Sequence, residues 1–165
     1  MSRPRTIPDA RIFAVIRSLM ATAGEGAVSF GAVARQSGLA ASTLVQRYGT
    51  RQGMLRAAAL AAWQELAAQT AALDAAEPGA HGFLKALGGD PAGPADLALL
   101  ALDFRDAELR ACATAWRAQV EAALARRLGD AGAAAMLFAA WQGQMLWQAA
   151  GGKGFRLKEA ARRLT

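Results

Sequence analysis

The chain has 165 residues, 54% of them hydrophobic, and a formal net charge of +6 at pH 7, which suits one or two small domains with ample material for a core. Alanine dominates and no alternating Val/Ile/Thr run occurs, so a strand-rich fold is excluded and an all-α fold is predicted. The charge is uneven: residues 1–56 carry eight arginines against Asp9 and Glu25, and the remainder has eleven basic and eleven acidic residues, the footprint either of a nucleic-acid-binding head on a neutral body or of a merely solvated arginine-rich surface.

Residues 1–5 form an arm in which Arg3 and Arg5 either reach DNA or belong to a frayed terminus. Thr6 and Asp9 make a near-capping box, with Pro8 tolerated in the first turn. The first helix then runs to about Ala23, with Ile12, Phe13, Ile16, Leu19 and Met20 as its apolar stripe. Gly24 and Gly26 end it.

The stretch Ser29 to Arg56, SFGAVARQSGLAASTLVQRYGTRQGMLR, reads as two short helices about a glycine turn, followed by the start of a long third helix. Ser29 is an N-cap, Gly38 supplies a positive φ at the exit of the first short helix, and Thr50 caps the long helix. The second short helix, Ala41 to Tyr48, has Leu44 on one side and Ser42, Thr43, Gln46 and Arg47 on the other. That is the helix-turn-helix pattern.

These residues resemble the DNA-binding head of TetR-type transcriptional repressors. Gly38-Leu39 sits at the family's turn, Thr43-Leu44 at its recognition-helix core, and Tyr48 closes that helix; the resemblance covers roughly residues 7 to 62. The chain departs from the family at Val45, where tyrosine is usual, at Arg51, where lysine is usual, and at Ala40, where the Ser/Thr cap is missing at a cost of about 1 kcal/mol. Gly31, inside a short helix, costs about 1 kcal/mol more. On helix-turn-helix geometry Ser42, Thr43, Gln46 and Arg47 face base edges, and Val45 and Ala41 are placed to touch thymine methyl groups. Ser29, Tyr48, Thr50 and Arg51 face phosphates. For Arg47 the plain alternative is a solvated surface arginine.

Thr50 to about Asp74 reads as one long helix with a stripe through Met54, Leu55, Ala58, Ala62, Leu66, Gln69 and Leu73. The resemblance implies that this is the element that swings when a ligand binds. Ala75 to Ala95 is rich in glycine and proline, reads as turns around a short helical piece at Gly82 to Leu87, and carries the single histidine, His81, as an exposed side chain. Asp96 to Phe104 reads as a short apolar helix. Asp106 to Leu128 reads as a longer one, with Leu109, Cys112, Ala113, Trp116, Val120, Ala123 and Leu124 on a common face. Asp130 to Ala150 is apolar on nearly every side, and a helix of that kind is buried all round. It is either an internal core helix or one that meets a second chain, with Gly143 allowing close approach. Arg156 to Leu164 makes the last helix; in the family the last two helices pair with their copies.

The division expected is 1–49, a helix-turn-helix DNA-binding domain, and 50–165, a helical domain for ligand sensing and dimerisation. The chain is read as a homodimeric, sequence-specific regulator of transcription, a repressor of a palindromic double-stranded DNA operator, released by a small apolar effector as the resemblance implies. Trp63, Leu66, Phe83, Phe104, Cys112 and Trp116 are the candidate effector-pocket walls, although Cys112 and Trp116 also read as plain core. Met136, Leu137, Trp141, Gly143, Met145 and Trp147 are the candidate dimer interface. The alternative is a TetR-like helical dimer that has lost operator reading and works through protein–protein contacts, a reading motivated by Val45 and Ala40. No catalytic constellation, phosphate-binding loop or metal-ligand set is present in the sequence, so no enzyme activity, cofactor or metal is expected. The lone Cys112, the absence of a signal-peptide pattern, and Gln142, Gln144 and Gln148 within the most apolar stretch point to a cytoplasmic protein with no membrane partner.

Overall fold

A computed structural model describes residues 7–89, 105–149, 151, 156, 159, 160 and 162. The expectations for Arg3 and Arg5, for Thr6, for the helix at Asp96 to Phe104, and for most of the helix at Arg156 to Leu164 lie outside them. The described residues hold seven α-helices and no strand: α1 (Asp9–Ala23), α2 (Phe30–Ser37), α3 (Ala41–Tyr48), α4 (Arg51–Ala76), α5 (Ala80–Leu87), α6 (Ala107–Leu128) and α7 (Ala131–Ala149). A 3-10 turn, Glu25–Ala27, links α1 to α2. The chain divides into two compact units, the first ending at Ala62 and the second beginning at Trp63.

The first unit is built on the stripe of α1. Ile12, Phe13, Ile16 and Leu19 are buried with Val28, Ala32, Val33, Leu44, Met54 and Ala58, while Met20 packs against this cluster from its edge. Local chemistry sets the breaks between helices. The Ser29 hydroxyl accepts from the Ala32 N–H at 3.1 Å and starts α2; Gly38, at φ 78°, ends it in the left-handed conformation that glycine adopts without penalty. Thr50 Oγ1 accepts from the Gly53 N–H at 2.9 Å and caps α4. At the start of α3, Ala40 offers no side-chain cap. The near-capping box expected at the start of α1 is corrected: Pro8 is the N-cap residue, without a side-chain cap bond, and the Asp9 carboxylate turns to α3 instead.

The second unit packs the C-terminal half of α4 with α5, α6 and α7. Here the stripe of α4 runs through Trp63, Leu66 and Thr70, all buried, with Gln69 and Leu73 only partly so. Thr70 replaces Gln69 in the interior because its hydroxyl is satisfied twice: it donates to the Leu66 carbonyl at 2.7 Å and accepts from Trp116 Nε1 at 2.8 Å. The rings Trp63, Trp116, Phe138 and Trp141 follow one another with centroids 5.7–6.0 Å apart, spacings at which aromatic pairs attract beyond area burial. Arg127 closes the end of α4. Its guanidinium donates to the Asp74 carboxylate at 2.6 Å, to the Asp74 carbonyl at 2.8 Å and to the Glu77 carbonyl at 2.6 Å. It also lies 4.7 Å from the centre of the Phe83 ring. Asp106 caps α6, accepting from the Glu108 and Leu109 N–H groups at 2.9 and 3.1 Å.

Candidate nucleic-acid interface

The α2–turn–α3 segment buries Val33 and Leu44 completely and turns the opposite side of α3 to solvent. Ala41, Ser42, Val45 and Gln46 are exposed along it, Thr43 is half-buried, and Val45 keeps 44% of its surface accessible. Spacings of one, three and four residues put these side chains on one face of an eight-residue helix. The face combines a hydroxyl, an amide and a small apolar group, which between them match base-edge acceptors, donors and thymine methyls. Ser29 and Thr50 are exposed at helix starts, each already holding a backbone N–H of its own helix.

Three of the residues assigned to DNA from the sequence are engaged within the first unit. Arg47 Nη1 donates to the Ile7 carbonyl at 2.9 Å and to Asp9 Oδ1 at 3.1 Å. The Tyr48 hydroxyl donates to the same Asp9 oxygen at 2.6 Å, and its ring lies 6.1 Å from that of Phe13. Burial of the ring, reinforced by the hydrogen bond to Asp9 and that carboxylate's charge, pushes the Tyr48 phenol up to about 12. Arg51 Nε donates to the Val28 carbonyl at 2.6 Å, and its Nη1 lies 3.3 Å from Glu25 Oε1. Arg51 thus joins the start of α4 to the 3-10 turn.

Three residues here were missed from the sequence. Asp9 and Glu25 are the only acids among residues 1–56, and each pairs with an arginine at the far end of the helix-turn-helix. Their isolation among eight arginines was the available signal. Gly53 is the third: a Cβ there would fall well inside contact distance of the Tyr48 carbonyl, so glycine lets α4 start directly beneath the end of α3.

In the second unit, Trp63, Leu66, Phe83 and Trp116 are buried and Cys112 is half-buried; Phe104 lies outside the described residues. Trp63 and Trp116 come together, whereas Phe83 faces Arg127. The buried atoms Trp63 Nε1, Gln69 Oε1 and Gln144 Oε1 have no partner among the described residues, an uncommon condition for interior polar atoms. On α7, Leu137 and Trp141 belong to the core of their own unit. Gly143 and Met145 are half-buried, and Met136, Leu146 and Trp147 are 56%, 62% and 67% exposed. No helix among the described residues is long and apolar enough to cross a membrane.

No protein-family model matches the chain, and neither does any curated protein. Solved structures do. SCO7518 of Streptomyces coelicolor A3(2), described as a transcriptional regulator, aligns over 94% of each chain at 21% identity and a TM-score of 0.67. The multidrug binding protein EbrR, solved with imidazole, aligns over 96% of this chain and 93% of its own at 22% identity and a TM-score of 0.67. PfmR of Thermus thermophilus, a TetR family transcriptional regulator, aligns over 93% of each chain at 20% identity and a TM-score of 0.64. The chain has the fold of the TetR-family transcriptional regulators.

Proposed function

We propose that the protein is a dimeric, sequence-specific DNA-binding regulator of transcription, a repressor released from a palindromic operator by a small molecule. Residues 1–49 are the reading head in this proposal, and 50–165 serve sensing and dimerisation. The observation that carries the reading is the solvent-facing side of α3, with Ser42, Val45 and Gln46 exposed, on the part of the chain that holds the whole positive excess. A basic surface supplies sequence-independent affinity through phosphates, and exposed side chains on a short helix supply the discrimination.

Two further observations support the rest. Along α7, Met136, Gly143 and Trp147 are spaced by seven and four residues, one stripe of the helix, and Met136 and Trp147 are more than half exposed. Large apolar groups on a helix face mark a place where another surface docks. In the second unit, unpaired Trp63 Nε1 and the Trp63–Trp116 pair offer a hydrogen bond and an aromatic wall to a bound molecule. EbrR, which shares the fold, has been solved with imidazole and with proflavin. A ligand that prefers one conformation of the protein shifts its population, and an operator that prefers the other is then released.

The test is fluorescence anisotropy with DNA flanking the protein's own gene, unrelated DNA as competitor, and two salt concentrations. Binding that withstands competitor supports an operator. Binding abolished equally by competitor and by salt leaves only a basic surface at that site and overturns this operator assignment.

A further inference from the structure

We propose that Asp9 is a positioning residue for sequence reading: with the Ile7 carbonyl it fixes the Arg47 guanidinium so that its Nε–Nη2 edge is presented to a base pair. The inference rests on α3 being the reading helix. Two acceptors, Asp9 Oδ1 and the Ile7 carbonyl, take Nη1 at 3.1 and 2.9 Å. A planar group held at one nitrogen by two partners has a set orientation. The bonds to Ile7 and Asp9 both leave from Nη1 and do not use the other edge, Nε with Nη2. That edge is a two-donor fork, the shape that meets two acceptors such as guanine O6 and N7.

Asp9 is itself held. Tyr48, the next residue on α3, donates to the same carboxylate oxygen at 2.6 Å, and its ring is seated against Phe13. Arg47, Asp9 and Tyr48 therefore form one bonded unit between the first turn of α1 and the last turn of α3. A free arginine gives up rotamer freedom when it meets a base; one ordered during folding has already done so. A carboxylate beside a DNA-reading helix also repels phosphates, so Asp9 lowers affinity for every sequence alike. What it adds is discrimination, the trade expected of a device that favours the right partner over the wrong one.

Glu25 is a built-in control. It is the other acid of the head, it pairs with Arg51, and it makes no bond to Arg47. The experiment selects duplexes from a random-sequence library with the whole protein, then measures anisotropy on the selected site and on single-base changes of it. Arg47→Ala relaxes preference at one position. Asp9→Ala relaxes the same position, lowering discrimination there about tenfold, and raises affinity for unrelated DNA. In the Arg47→Ala background, Asp9→Ala relaxes nothing further. Glu25→Ala raises affinity for unrelated DNA and leaves discrimination intact. Tyr48→Phe removes only the hydroxyl, keeps the ring packed, and relaxes the same position partially, which covers a poorly folded Asp9→Ala. Full discrimination in both Asp9→Ala and Tyr48→Phe overturns the positioning role while α3 remains the reader. An Arg47→Ala protein that keeps full preference overturns the assignment of Arg47 as well. If the unaltered protein selects no sequence, the reading of α3 itself fails.

Discussion

Tyr48 is the only tyrosine in the chain, so its ionisation can be followed by tyrosinate absorbance without assignment. Its phenol is raised from 10.0 to about 12, first by burial and then by its hydrogen bond to Asp9. The folded protein therefore keeps a proton that the unfolded chain loses near pH 10. The stabilisation is complete below pH 10 and is lost as the pH rises through 12, because the unfolded state binds fewer protons over that window. We expect the denatured protein to titrate near 10 and the native protein near 12. In Asp9→Ala the native value falls only part of the way toward 10, since burial remains. A native titration at the ordinary phenol value would mean that neither the burial of the ring nor the Tyr48–Asp9 contact is present. The residue scale is also where the sequence was least legible. Ser29, Gly38 and Thr50 act through neighbours within a few positions, so their roles could be read directly. The partners of Asp9 lie 38 and 39 residues away and those of Arg51 lie 23 and 26 away, and no local pattern announces a contact across that separation.

Helices were legible to the extent that a single stripe or cap decides them. The stripe of α1 and the inward Leu44 of α3 follow from a 3.6-residue period, and the core contains them as expected. The stripe of α4 was misread at Gln69 because periodicity cannot see that Thr70 has two hydrogen-bond partners waiting in the interior. The junction of α3 and α4 is a further case. Glycine in a helix normally costs about 1 kcal/mol relative to alanine, so Gly53→Ala would be expected to stabilise α4 by that amount. Here the added Cβ meets the backbone carbonyl of Tyr48, with Thr50 Oγ1 also 3.3 Å away. Backbone cannot rotate aside as a side chain can, so the start of α4 or the end of α3 must move. We expect Gly53→Ala to lower stability by about 1–3 kcal/mol, and to weaken specific DNA binding further through displacement of Arg47. Thermal denaturation together with anisotropy measures both. A more stable variant with undiminished operator affinity would show that the junction has room to spare.

At the scale of the molecule, charge distribution was plain in the sequence, and so was the all-helical fold; what covers α7 was not. Hydrophobic residues all round a helix told of burial on every side without dividing the sides. The structure divides them: Leu137, Phe138 and Trp141 face the unit's own core, and Met136, Leu146 and Trp147 do not. Gly143 sharpens the point. A Cβ at this position would meet nothing within 4 Å, so the described chain gives no reason for a glycine in mid-helix, where it costs about 1 kcal/mol. In the proposed dimer, close approach by a second copy of α7 would supply one. Gly143→Leu should then block association while leaving each chain folded, and Met136→Glu with Trp147→Glu should do the same by desolvation cost. Light scattering at micromolar concentration is expected to give twice the chain mass for the unaltered protein and the single-chain mass for both variants, with helical circular dichroism retained. Operator affinity should fall with the loss of the second head, because a palindrome is held by two half-site contacts at once. Affinity for unrelated DNA should fall much less. A Gly143→Leu protein that remains dimeric would place the contact elsewhere, and an unaltered protein of single-chain mass would remove the dimer from the proposal.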